Sequence, residues 1–223
     1  SWNKLPNVKI SNDNKKAVRF SDIVIIAVQP KQLQGVLEEI KDVVNPKRHT
    51  IISVVTGRKI QEIESVLGND VSIIRSMPNT AISVGQSMTC LSSNRKGKQN
   101  IESAKTIFNS VGKTMCIEEK LMQSATVICA SGIAFWMRLI RATTQGAVQL
   151  GFDAEEAQEL AVQTCLGAAS LLIKSGNHPE KEIDKVTTPS GCTIEGLNEM
   201  EHQGLSSSLI KGLVTSFEKI NQI

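Results

Sequence analysis

The sequence of 223 residues has no tyrosine, five Phe and two Trp, so aromatic side chains make up only 3% of it. A platform that stacks single-stranded nucleic acid needs several aromatic faces, and this chain can barely supply them. Nor is there excess charge of one sign: 25 Lys and Arg against 22 Asp and Glu leave +3, evenly spread. That is too little for a polyanion partner, and no nucleic acid is expected. The five cysteines (Cys90, Cys116, Cys129, Cys165, Cys192) are an odd number with no C-x-x-C pair. A disulfide framework or a zinc site wants tight paired spacing, so free thiols in a reducing cytoplasm and no metal are expected. His49, His178 and His202 are scattered and read as surface residues. No run of about 18 uncharged apolar residues occurs, so no membrane span is expected. Residues 1–7 carry no apolar signal run.

What is present is a chain of two textures. Ile23–Val28 is a continuous apolar run, as in a strand buried on both faces of a parallel sheet. Gln29 and Pro30 stop it, and Leu33, Val36, Leu37 and Ile40 then share one helical face. A second run, Thr50–Val55, is followed by a helix marked by Ile60, Ile63, Val66 and Leu67, with Gly68 as its C-cap. A third run, Val71–Ile74, leads to Pro78 and Asn79. Strands alternating with helices over short connections predict right-handed crossovers in a parallel sheet. A run at 87–91 and a helix over about 100–111 complete this half.

Beyond Ile117 strand signals stop. Residues 121–150 are rich in Ala, Ser, Thr and Gly and read as one long, closely packed helix. Asp153 with Glu156 opens a second long helix that Gly176 closes. Three further helices are expected, beginning near Pro179, at 194–200 and at 205–220. The predicted fold is α/β: a parallel-sheet domain over 1–119 followed by an all-helical domain over 120–223.

Ligands of doubly wound sheets bind beyond the carboxyl ends of the strands. Three such ends are visible, at Ala27–Pro30, Val55–Gly57 and Met77–Thr80, each with a turn residue and a small or amide side chain. Ordinary strand-to-helix turns and a ligand site both remain open there. The second place is Val186–Ile194. Pro189 and Gly191 break the chain just before an apolar helix, so successive N–H groups and the helix dipole aim at one point. A plain Thr cap is the alternative. Cys192 has no identifiable basic partner for a thiolate nucleophile. Glu155, Glu156 and Glu159 read as a solvated helix face.

Taken together these segments resemble the pyrroline-5-carboxylate reductase family. The resemblance rests on Ala27–Pro30, Ile51–Gly57, Arg75–Thr80, Ala130–Ala134, Gly151 with Phe152, and Gly176–Pro179. Its most specific part is Thr188–Leu197. The resemblance implies a Rossmann-like domain, a helical domain that interlocks with a second subunit, and reduction of a cyclic imino acid by NADPH or NADH. It implies that Ala27, Val28, Gln29 and Pro30 run along the cofactor. Val55, Thr56 and Gly57 would sit beside its ribose and nicotinamide, with Asn79 near the same cleft. Ser190, Gly191, Cys192 and Thr193 would bind substrate, the last three through backbone N–H groups, with the Thr193 hydroxyl on the ring nitrogen as the catalytic contact. A homodimer or larger assembly is implied.

Several positions differ from the family's pattern. Gln29 stands in place of a lysine, Ile133 in place of a proline, and Ser190 in place of a glycine. The glycine-rich G-x-G-x-x-G segment is absent, and the first βα unit is expected to be missing. A related β-hydroxyacid dehydrogenase would carry a lysine early in the central helix, and residues 121–150 contain none. A non-catalytic assembly or regulatory dimer is the other alternative.

Overall fold

The computed structural model describes residues 5–220. Five strands, β1 (Ile23–Ile26), β2 (Thr50–Ser53), β3 (Ser72–Met77), β4 (Ser87–Ser93) and β5 (Gly112–Cys116), form one sheet in chain order. β1, β2 and β3 are parallel, with Ile26 opposite Ser53 and Ser53 opposite Arg75. Their carboxyl ends therefore finish side by side.

The helices follow from the sequence pattern. Short α1 (Asn14–Arg19) is capped by Asp13, whose Oδ1 accepts the Lys16 N–H at 2.9 Å. After a 3-10 turn at Pro30–Gln32, α2 (Leu33–Ile40) turns Leu33, Leu37 and Ile40 inward. α3 (Ile60–Leu67) does the same with Ile60 and Ile63, and ends at Gly68, whose φ of +92° favours glycine. These side chains cover Ile51 and Ile73 on one face of the sheet. Because side chains alternate along a strand, Ile52 and Ile74 face the other way, where they meet Leu91 and α4 (Ile101–Asn109) through Ala104 and Phe108. Burial of each such side chain contributes about 1.5–3 kcal/mol.

The sheet differs from the expected all-parallel arrangement in its last two strands, which run opposite to β1–β3. β4 runs antiparallel to β3, while β5 is parallel to β4. Residues 78–86, which link β3 to β4, are too few for a crossover, which takes a dozen residues or more. β1 is also an edge strand: only Ile26 is buried, and Ile25 is 46% exposed. Continuity of apolar residues predicted burial on both faces, but no strand among the described residues pairs with its outer edge.

The chain divides into two compact units, the first running to Ala130 and taking in 217–220, the second Ser131–Ser216. Residues 119–149 are not one regular helix. α5 (Met122–Ala125) passes through a π-helical turn at Thr126–Ser131 into α6 (Gly132–Gln149). Met122 is fully buried with Met77 and Cys90, so the start of this segment belongs to the sheet unit. The segment Glu119–Gln149 is long and apolar enough to cross a membrane by length and composition. No run of 18 uncharged residues occurs in it, because Lys120, Arg138 and Arg141 interrupt the apolar stretch.

In the second unit α6 packs on α7 (Ala154–Ser175) through small residues, with Thr144, Ala157 and Ala161 buried. Asp153 caps α7, accepting the N–H groups of Glu155 and Glu156 at 2.9 Å, and Gly176 ends it at φ +64°. α8 (Pro179–Asp184), α9 (Cys192–His202) and α10 (Leu205–Ile220) as far as Ser216 complete the unit.

Candidate functional site

The sheet unit brings together the three strand ends singled out by the sequence. Ala27, Gln29, Thr56 and Gly57 are exposed, and Val28 and Pro30 are half-buried. Gly57 holds φ +76°, and a methyl there would meet nothing within 4 Å, so its backbone lies open. Val55 is different. It is a core side chain, 2% exposed, and could offer a ligand only its backbone.

Asn79 is largely occupied by the fold. Its Oδ1 accepts the Ala81 N–H at 3.0 Å, capping a 3-10 turn, and its Nδ2 donates to the Cys129 carbonyl at 3.0 Å. Its own N–H donates to Ser87 Oγ at 3.1 Å. One amide hydrogen remains for a ligand. The thiol of Cys129, whose carbonyl Asn79 meets, is drawn down to about 7 by hydrogen bonding with Cys90, whose own thiol that bond and burial push up.

A cluster of charge at the start of α3 was not singled out by the sequence. Glu119 Oε1 accepts the Ile60 N–H at 2.7 Å and the Arg75 Nη1 at 2.9 Å. Arg75 is buried in β3, its side chain 5% exposed. Burial pushes the Glu62 carboxyl up, but the Lys59 N–H, Arg58 and Arg75 outweigh it and hold it below its ordinary value. The only signal in the sequence was a charged residue inside an otherwise apolar strand run. His49 is also a correction. Read as surface, it is 3% exposed, and its Nδ1 accepts the Asn45 N–H at 2.8 Å.

The helical unit carries the second group. Thr188 to Gly191 form a tight turn in which the Gly191 N–H donates to the Thr188 carbonyl at 2.9 Å. This N–H is consumed by the turn, leaving those of Cys192 and Thr193 as the free donors of the expected set. Gly191 is the N-cap of α9 and supplies no side chain. A Cβ there would meet Thr188 Oγ1 and approach its carbonyl to 3.0 Å, so a larger residue would have to displace Thr188. Ser190 is the one non-glycine residue of positive φ among the described residues, at +57°. It stands in the left-handed conformation that a glycine adopts without strain. Thr193 is half-buried, and its hydroxyl has no hydrogen-bond partner among the described residues.

The dimerisation segment described as "Pyrroline-5-carboxylate reductase dimerisation" matches residues 119–223, and "NADP oxidoreductase coenzyme F420-dependent" matches residues 1–57. A Dictyostelium discoideum protein named pyrroline-5-carboxylate reductase 1 is 50% identical over 222 residues, covering 94% of this chain and 40% of that protein. Pyrroline-5-carboxylate reductase 2 of the same organism is 46% identical over 226 residues, covering 95% of this chain and 75% of that one. The chain belongs to the pyrroline-5-carboxylate reductase family. It thus spans less than half of the first relative and three quarters of the second. The crystal structure of the Plasmodium falciparum reductase with NADP bound superposes with a TM-score of 0.84 at 27% identity, covering 97% of this chain and 84% of that one. The reductase fold, a Rossmann-like sheet followed by a helical dimerisation domain, is thereby shared.

Proposed function

We propose that this chain reduces 1-pyrroline-5-carboxylate to L-proline with NADPH or NADH, the last step of proline biosynthesis. The observation that carries the reading is the amino end of α9. There the N–H groups of Cys192 and Thr193 and the Thr193 hydroxyl have no protein partner among the described residues, in the segment that most specifically resembles the family.

The chemistry fits that equipment. Helix N–H groups and the positive end of the helix dipole receive the substrate carboxylate. With the carboxylate held, the Thr193 hydroxyl bonds the ring nitrogen and fixes the face of the ring. The bound nicotinamide supplies a hydride. The imine carbon accepts it, and the π electrons pass to nitrogen, which becomes the amine of proline. A protonated C=N bond is already electrophilic, so placement rather than a strong acid or base carries the reaction. Ala27, Val28, Gln29, Pro30, Thr56 and Gly57 line the cofactor, with the backbone of Val55 and the remaining amide hydrogen of Asn79.

Residues 1–119 serve as the dinucleotide-binding part and 120–223 as the substrate-binding and dimerisation part, in a homodimer or larger assembly. All five cysteines are free thiols, which suits the cytoplasm. The test is Thr193 itself. Thr193→Ala should lower kcat/KM for the imine about a hundredfold, and Thr193→Ser, which keeps the hydroxyl, should recover most of it. An unchanged rate in Thr193→Ala would remove this residue from the site.

A further inference from the structure

The Val55–Gly57 loop offers exposed backbone, yet it lies between a core strand and a helix and must be held from one side. Two hydrogen bonds inside the start of α3 contribute. Glu62 Oε1 accepts the Lys59 N–H at 2.8 Å, and Glu62 Oε2 pairs with Arg58 at 3.0 Å. The next donor, the Ile60 N–H, finds no partner within its own helix, since the first N–H groups of any helix lack one. It is met by Glu119, 59 residues further along the chain.

The same carboxylate oxygen answers a second demand. Arg75 is buried in β3, the strand that leads directly into Asn79, and a buried guanidinium needs an anion. Glu119 thus joins the two segments that flank the cleft, the start of α3 after Gly57 and the strand before Asn79. Two arginines and two glutamates (Arg58, Glu62, Arg75, Glu119) balance, so the cluster carries no net formal charge. Neutral hydrogen bonding could cap a helix. The buried Arg75 is what makes the carboxylate necessary.

We propose that Glu119 is a positioning residue for the cofactor, its carboxylate bridging Ile60 and Arg75 to fix residues 55–59 in the conformation that receives the nicotinamide and its ribose. This rests on the reductase reading given above. It touches no substrate; it acts through the loop. Removing it frees the Ile60 N–H and leaves Arg75 unpaired, so the loop samples conformations that do not bind the dinucleotide. The loss should fall on cofactor affinity, while the imine seat at Cys192 and Thr193 is untouched.

The test uses the full chain and compares Glu119→Ala, Glu119→Gln and Glu118→Gln, the last a control because the Glu118 side chain, among the described residues, pairs only with exposed Lys120. Steady-state KM for NADPH and for the imine, and NADPH binding by calorimetry, are measured with thermal unfolding. Glu119→Ala should raise the NADPH KM and dissociation constant about tenfold and leave the imine KM within twofold. Glu119→Gln, which keeps an oxygen for the Ile60 N–H, should recover part of the loss, and Glu118→Gln should change nothing. A merely structural role lowers the unfolding midpoint and the active fraction, and so Vmax, with the NADPH KM unmoved; that result overturns the proposal. Should Glu119→Ala not fold, Glu119→Gln carries the test, and an NADPH KM within twofold of wild type overturns the proposal. A wild-type chain that binds NADPH but does not turn over the imine overturns the reductase reading alone, since calorimetry still reads Glu119. No NADPH binding by wild type removes both.

Discussion

The two units of this chain are stabilised in different ways. In the sheet unit Ile51, Ile52, Ile73, Ile74 and Leu91 are fully buried, and the helices α2, α3 and α4 close over them. In the helical unit the buried hydrophobic side chains are only Ala157 and Ala161, while Trp136, Leu166, Leu171, Ile173 and Ile210 are each more than half exposed. One unit closes most of its core from its own chain, apart from the open edge at β1. The other displays the apolar faces of α6, α7 and α10, and exposure on that scale marks a surface made to be covered. A second copy of the chain is the occupant that the proposed dimer supplies. Helices rich in small residues allow close backbone approach, and their larger side chains are turned outward.

This contrast can be broken from the helical side first. Leu166→Glu places a charge on an exposed position of α7 where a monomer tolerates it, but a covered face does not. Light scattering should show dimer giving way to monomer, with at least a hundredfold weaker association; a variant that stays dimeric would clear this face of α7 of the interface. On the sheet side, Ile52→Ala removes methylenes from a site that nothing else can fill and should destabilise by about 3 kcal/mol in urea unfolding. The same substitution should leave subunit association unchanged at concentrations where the protein is folded.

Two smaller effects sharpen the comparison. Ser190→Gly relieves a left-handed residue in the helical unit and should stabilise by about 1 kcal/mol, read as a raised unfolding midpoint. His49 supplies the corresponding small effect in the sheet unit. Burial, then the charge of Arg48, holds its imidazole below its ordinary value. The unfolded chain therefore takes up the proton first, and stability is present above about pH 6.5, the ordinary histidine value, and lost as pH falls below it. A His49→Gln variant should lose that step in a urea series from pH 8 to pH 5, while the wild type keeps it.

The elements legible in the sequence are those with strong local signals. The apolar run before Pro30 became β1, Ile60–Leu67 became α3 with Gly68 at its end, and Asp153 and Gly176 bracket α7 as their chemistry requires. Strand direction was not legible from the run at 87–91, because alternation looks alike in either direction; the short link 78–86 was the available clue. β5 was missed because Gly112–Cys116 is a mostly exposed edge with no apolar run. The candidate site was legible as segments, through Ala27–Pro30, Thr56, Gly57 and Thr188–Thr193. Its hydrogen-bond accounting was not. That the Gly191 N–H closes a turn, that Asn79 caps another, and that Glu119 reaches Arg75 are pairings between partners the chain order does not reveal.

The most direct measurement adds 1-pyrroline-5-carboxylate to the purified protein with NADPH and follows both the loss of nicotinamide absorbance and the appearance of proline. The account predicts that the two change in equal amounts and that Thr193→Ala slows both together. Proline formation undetectable above the uncatalysed rate, with the wild-type protein folded, dimeric and binding NADPH, would contradict it.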